Sequence, residues 1–286
     1  DEGSRAARGV VGLRLERIVE LERRAERRRN GLRKSSELLR PGDEQTLRRW
    51  FAAAAHAGIP VVAHCEDNHV MKRAASALTP EQADRHDLHR PVGAEVQSIR
   101  DALRVAREVG ARLHVFHIST AEGGRLVAAA AAAGQAVQGS TAPHYLLLTA
   151  EEAHAQTQNR WKVNPSIKYA EDRAGLQQLL ASGSLCAVGT DHAPHPLEEK
   201  VRPYAKAPSG FPSVDLLLPL IVAVRDRVGL RLDALLRSVT SGPALEFGLE
   251  GKGRIAPGAD ADLVVVDPAR ERRVEESELP SKSKWS

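Results

Sequence analysis

Four times between Leu47 and Gly189 the chain runs through one cycle, a helical stretch, a glycine and then a short apolar run. Leu47-Arg-Arg-Trp-Phe-Ala-Ala-Ala-Ala-His-Ala57 has helical spacing, Gly58 closes it, and Ile59 to Ala63 follows as a strand. The second cycle is Ser98 to Val109, Gly110 and Leu113 to Ile118. The third is Ala121 to Ala133, Gly134 and Ala136 to Gly139, and the fourth is Asp172 to Leu180, Gly183 and Leu185 to Gly189. Short apolar runs alternating with helices predict parallel strands joined by crossover helices, hence the α/β class. A doubly wound sheet would bring a glycine-rich phosphate loop, and the one candidate, Glu122-Gly-Gly124, lacks its spacing. The expected architecture is a partial TIM-like (β/α)8 barrel, because four clear strands are too few to close eight.

The cycles place a barrel over residues 46–247. Residues 1–45 are read as a divergent basic segment, with a barrel strand and helix as the alternative, and residues 248–286 are expected to contribute part of a small β domain, since Gly251-Lys-Gly-Arg-Ile through Asp267 has a turn, strand, turn, strand pattern. At 286 residues one barrel of about 250 residues is an ordinary outcome. The chain starts at Asp1 without an initiator and its only methionine is Met71, so truncation at both ends is expected.

The net charge of +4 suggests nucleic acid, yet much of the basic excess lies between Arg17 and Arg40. There Glu16, Glu20, Glu22 and Glu26 alternate with arginines, as on a solvated helix with pairs such as Glu20 and Arg24. No aromatic side chain is interleaved to stack on bases, so nucleic-acid binding is not expected. Two cysteines, Cys65 and Cys186, in separate apolar runs point to a reducing compartment, with the cytoplasm as the default. The longest apolar stretch, Leu216 to Val224, is too short to span a bilayer and holds Pro219.

Three of the apolar runs end in side chains that bind metals or move protons. Val61-Val-Ala-His-Cys-Glu-Asp67 delivers His64, His114-Val-Phe-His-Ile-Ser-Thr120 delivers His117, and Val188-Gly-Thr-Asp-His-Ala-Pro-His195 delivers Asp191. Strand ends of this kind form the C-terminal mouth of a β/α barrel, where such folds build their sites. A lone histidine after a strand is more often a hydrogen-bonded structural residue. Two histidines and an aspartate on three strand ends make a set suited to zinc, with manganese or iron as alternatives. A divalent metal lowers the pKa of water and polarises a carbonyl, and a carboxylate beside it can take up and return a proton. Asp191 is the candidate for both metal contact and proton shuttle.

Ala63-His-Cys-Glu-Asp67, Phe116-His-Ile-Ser-Thr120, Thr141-Ala-Pro-His-Tyr-Leu146, Lys162-Val-Asn-Pro165, Thr190-Asp-His-Ala-Pro-His195, Glu198-Glu-Lys200 and the Gly251 to Asp267 segment occur in this order in the cyclic amidohydrolases. The set resembles the dihydroorotases, with allantoinases and hydantoinases as close relatives, from about Ile59 onward. The resemblance implies a β/α barrel with a binuclear zinc site that hydrolyses, or in reverse closes, a ring amide. It implies that His64 and His117 bind one metal, that Asp191 binds the other and shuttles the proton, and that His195 and Asn164 contact substrate. Read on its own, Asn164 is a turn residue before Pro165. A small-molecule substrate and a homodimer are the partners implied.

The sequence also departs from that family. No segment here matches the His-x-His strand or the nearby arginine that grips a substrate carboxylate. Where many members carry a carboxylated lysine in a Gly-x-Lys context, this chain has Gly12-Leu-Arg14 and Gly31-Leu-Arg33, and an arginine cannot form that carbamate; Lys34 lies beside the second. The expectation is a dihydroorotase interconverting dihydroorotate and N-carbamoyl-aspartate in pyrimidine biosynthesis, with little activity in these residues alone. Allantoinase or hydantoinase (dihydropyrimidinase) is the second reading. A non-catalytic barrel kept as a structural partner of aspartate transcarbamoylase is the third.

Overall fold

The computed structural model describes residues 44–155, 159–267, 270–271, 273–283 and 285–286. The expectations for the basic segment, including Arg14, Arg33 and Lys34, fall outside the described residues. The elements are α1 (Glu44–His56), β1 (Val61–Ala63), α2 (Asn68–Ser76), α3 (Val92–Val109), β2 (Leu113–Val115), α4 (Ala121–Ala132), β3 (Val137–Thr141), α5 (Ala170–Ala181), β4 (Ala187–Val188), α6 (Leu217–Val228), α7 (Leu232–Val239) and α8 (Ser241–Glu246), with shorter helical turns between them.

The strands are parallel and ordered β1-β2-β3-β4, with Val61 opposite Leu113, Leu113 opposite Val137 and Ser140 opposite Ala187. Sequence order and spatial order coincide. A doubly wound sheet would reverse direction at a switch point, whereas a barrel arc advances one way, and this sheet advances one way. The four glycines that close the helical cycles, Gly58, Gly110, Gly134 and Gly183, all have φ between 67 and 83°, the left-handed conformation in which a helix ends at little cost only with glycine.

The core lies between the sheet and its helices. Leu113 and Val115 of β2 and Val137 of β3 pack with Ile99, Val105 and Ala106 of α3, Val127 of α4, and Leu176 and Leu180 of α5. In α3 the buried positions Val96, Ile99, Leu103 and Ala106 recur every three or four residues and form the stripe that holds the helix to the sheet. On β1, Val62 points the other way and is 37% exposed.

The structure moves several expected boundaries. The second helix starts at Val92, directly after Pro91, rather than at Ser98. The second strand stops at Val115 rather than Ile118, because His117 turns into the left-handed region with φ 45°. Two helices, α7 and α8, parted at Thr240, occupy the last part of residues 46–247.

Over residues 248–286 no strand forms among the described residues. Leu263, Val264 and Val265 are 63, 76 and 98% exposed. A short apolar run becomes a strand only when a neighbouring strand takes its backbone groups, and among the described residues none lies alongside.

Gly242 packs where a side chain has no room. A β-carbon there would fall on the Cys186 carbonyl oxygen and lie 2.9 Å from that of Arg237, both rigid backbone. Gly242→Ala is expected to cost about 2 kcal/mol by forcing α8 away from β4. A lowered urea midpoint with an unchanged slope checks this; an unchanged midpoint would show that α8 shifts without cost.

Candidate functional site

The pairing of β1 with β2 decides which side chains meet. Ala63 lies opposite Val115, so the residues just beyond the two strands project from one rim of the sheet. His64 and His117 meet there, with Nδ1 of His64 3.0 Å from Nε2 of His117. Two nitrogens on one tetrahedral zinc at ordinary bond lengths would be about 3.3 Å apart. The Phe116 ring covers His117 at 3.6 Å between centroids.

A carboxylate orients the pair from behind. His64 Nε2 is 2.9 Å from Glu66 Oε2, and the same oxygen accepts from the Arg90 guanidinium. Burial pushes the Glu66 carboxyl up, but the His64 hydrogen bond and the Arg90 charge outweigh it and hold the group below the usual range. Lys168 fixes Arg90 in turn, donating to its carbonyl at 2.7 Å. His117 titrates well below the ordinary range, mainly because it is buried and secondly because His64 faces it. It is therefore a neutral imidazole, the form that binds metals. Its Nδ1 and Glu66 Oε1 are buried with no hydrogen-bond partner.

A second carboxylate holds the backbone after His117. Glu95 of α3 is 1% exposed and accepts from the amides and hydroxyls of both Ser119 and Thr120. That grip sits two residues beyond a strained position. His117 and Asp191 have φ of 45 and 49°, a region that costs a non-glycine residue free energy and that recurs at functional sites.

The sequence-predicted residues are not all gathered. His64 and His117 are together. Asp191 stands at the end of β4, and burial raises its carboxyl while the charge of His64 pulls the other way, so the two groups act on each other. Its oxygens nevertheless lie outside the pair. Among the described residues the only trio of His, Cys, Asp or Glu with ligand atoms within 4.8 Å of one another is His114, Cys186 and Glu246.

Asn164 and His195 stand elsewhere. The side-chain oxygen of Asn164 is 3.0 Å from Nε2 of His86, and His86 Nδ1 is 2.7 Å from the Tyr204 hydroxyl. His195 Nδ1 is 3.4 Å from Glu199, and its carbonyl accepts from the Trp285 indole at 2.7 Å. A cleft of about 490 Å³ lined by His86, Lys162, Ser166 and Tyr204 lies on the Asn164 side; His64, His117 and Asp191 do not line it.

Glu66, Arg90, Glu95, Lys168 and His144 escaped assignment from sequence alone. Glu66 had a local signal, two residues past His64. Glu95 stands near His89-Arg-Pro91, a pattern seen across the wider group of cyclic amidohydrolases, but its role depends on residues more than twenty positions away. His144 is fully enclosed against Tyr145 and Phe211, with both ring nitrogens unpartnered.

The two converging imidazoles, one of them neutral, fit the nitrogen half of a site for a zinc-like cation. Among the described residues no helix is long and apolar enough to cross a membrane.

Known proteins bear on this geometry. The chain is 36% identical over 233 residues to the dihydroorotase of Halobacterium salinarum, with 82% of the chain aligned to 53% of that protein. It is 35% identical over 244 residues to the allantoinase of Rubrobacter xylanophilus, 83% of the chain against 53% of that protein. Its fold matches the L-hydantoinase (dihydropyrimidinase) of Arthrobacter aurescens with a TM-score of 0.76 at 27% identity, covering 83% of this chain and 55% of that one. The chain thus spans a little over half the length of the relatives it matches. The amidohydrolase family model matches residues 15–284. With that match, and with histidines on adjoining parallel strand ends, the chain belongs to the amidohydrolase family.

Proposed function

We propose that this chain carries part of the site of a metal-dependent cyclic amide hydrolase, and that its substrate is dihydroorotate. The observation that carries the reading is the 3.0 Å approach of His64 Nδ1 and His117 Nε2. His64, His117 and Asp191 would hold the metal, which when bound supplies Lewis-acid polarisation and a nucleophilic water at neutral pH.

The chain's own residues supply the rest. Glu66, backed by Arg90 and Lys168, keeps His64 turned towards His117. Asp191 is the carboxylate that would take up a proton and return it at the leaving nitrogen, as ring opening requires. His195, four residues after Asp191, favours dihydroorotate over allantoin or a hydantoin, because it matches a substrate contact typical of dihydroorotases.

The test is an assay of the full-length gene product containing this chain, loaded with zinc and offered dihydroorotate, allantoin and hydantoin. Turnover of dihydroorotate is expected, with a fall of about 10²–10⁴ in kcat for Asp191→Asn. Turnover of allantoin or hydantoin alone would reassign the substrate. Absence of any turnover and of retained zinc would favour a structural role beside another enzyme.

A further inference from the structure

Three residues back along the chain from His117, at most about 10 Å of backbone, a second set of ligand atoms converges. His114, on β2, is 2% exposed, and its nitrogens are engaged in different directions. Nε2 lies 2.9 Å from the Ser140 hydroxyl on β3, and Nδ1 lies 3.3 Å from Glu246 Oε1 at the end of α8. Cys186, the residue before β4, completes the trio, each ligand atom lying within 4.8 Å of the others. None of these groups hydrogen-bonds to His64 or His117.

We propose that His114 Nδ1, Cys186 Sγ and a Glu246 carboxylate oxygen form a binding site for a borderline-soft divalent cation, zinc above all, which ties β2, β4 and α8 together. The donor set suits such an ion, since nitrogen, thiolate and carboxylate are the three ligand types zinc takes. Ligands on one tetrahedral zinc stand about 3.3–3.8 Å apart, so side-chain rotation alone closes the trio around an ion. Its surroundings resemble a built site. The Ser140 hydroxyl fixes the ring and leaves Nδ1 pointing at the cation position, the arrangement in which an outer partner orients a metal-bound histidine. Arg112 donates to the Glu246 carbonyl at 2.9 Å and anchors the end of α8. The Phe247 ring lies 5.1 Å from the His114 ring and closes one side.

Charge and protons balance. Burial, with the neighbouring Glu246 charge, pushes the Cys186 thiol up to about 12, so binding has to expel that proton to solvent. The imidazole proton moves from Nδ1 to Nε2 and is donated to the Ser140 hydroxyl oxygen. One thiolate and one carboxylate then offset the two charges of the cation, so the buried site carries no net charge.

Cobalt(II), which reports a thiolate ligand by a charge-transfer band in the near ultraviolet, tests this on the 286-residue protein. The band is expected on titration, is bleached by added zinc, is lost in Cys186→Ser and persists in Cys65→Ser and in the double variant His64→Ala/His117→Ala. Ser140→Ala is expected to weaken cobalt binding by about 10–100-fold while keeping the band. If Cys186→Ser does not fold by circular dichroism, zinc X-ray absorption on the unaltered protein replaces it, with a sulfur ligand expected at about 2.3 Å. No charge-transfer band, a band that survives Cys186→Ser, a band lost in Cys65→Ser, or a zinc shell without sulfur overturns the proposal. Such failure is separable from failure of the catalytic reading, because the His64 and His117 pair binds without sulfur.

Discussion

Glu95→Ala is expected to destabilise the protein by about 3–5 kcal/mol, the range seen when one partner of a buried charged network is removed. The carboxylate accepts from Ser119 N at 3.0 Å, Ser119 Oγ at 2.6 Å, Thr120 N at 2.9 Å and Thr120 Oγ1 at 2.5 Å. Truncation leaves four donors inside the protein, and each one that finds no water costs about 1–3 kcal/mol. Burial raises the Glu95 carboxyl, with the charge of Lys168 and these hydrogen bonds opposing it. Glu95→Gln keeps one acceptor oxygen and is expected to lose about half as much. The loss should reach the site as well. With the amides of Ser119 and Thr120 released, His117 at φ 45° loses the restraint on its C-terminal side and keeps only the strand bonds of Phe116 and Ile118, and a residue so strained relaxes when its surroundings allow. Urea denaturation measures the first effect and zinc affinity the second. A loss below about 1 kcal/mol would mean that water replaces the carboxylate and that the grip is not structural.

Acidification is expected to weaken the fold through its buried histidines, His144 and His86 as well as His117. His144 is pushed down to about 3 by burial, and His86 to about 3 by burial and the Arg90 charge. In the unfolded chain both titrate near 6.5. Between the two values the unfolded state binds protons that the folded state refuses, so stability falls as pH falls, from about 6.5 towards 3. Going from pH 7 to pH 5, each histidine is expected to cost about 2 kcal/mol. His144→Phe isolates one of them. The ring has no polar partner to lose and already packs on Tyr145 and Phe211, so at pH 7 the change should stay within about 1.5 kcal/mol. From pH 7 to 5 the variant should lose about 2 kcal/mol less than the parent. Glu95, whose carboxyl is raised, acts in the opposite sense, and the difference between the two proteins removes its contribution. Parallel stability curves for parent and variant would show that His144 takes up its proton within the fold.

The class of fold and the strand-end histidines were legible in the sequence because both are written in local periodicity. A helical stripe, a glycine at positive φ and a short apolar run are properties of ten to twenty neighbouring residues, and four such cycles admit little but a parallel sheet. His64 and His117 were legible for the same reason, since each ends an apolar run. What the sequence could not specify depends on partners far along the chain. Ile118 falls outside β2 because His117 bends the backbone, and that bend is held by Glu95 on a preceding helix. Leu263 to Val265 have a strand's composition but no strand, because a ladder needs a neighbour that only the assembled sheet could supply. His114, Cys186 and Glu246 are separated by 72 and 60 positions and become one cluster only when β2, β4 and α8 pack together. Secondary structure follows from preferences each segment carries alone, whereas the pairing of buried polar groups is fixed only when packing has removed water and left them no other partners.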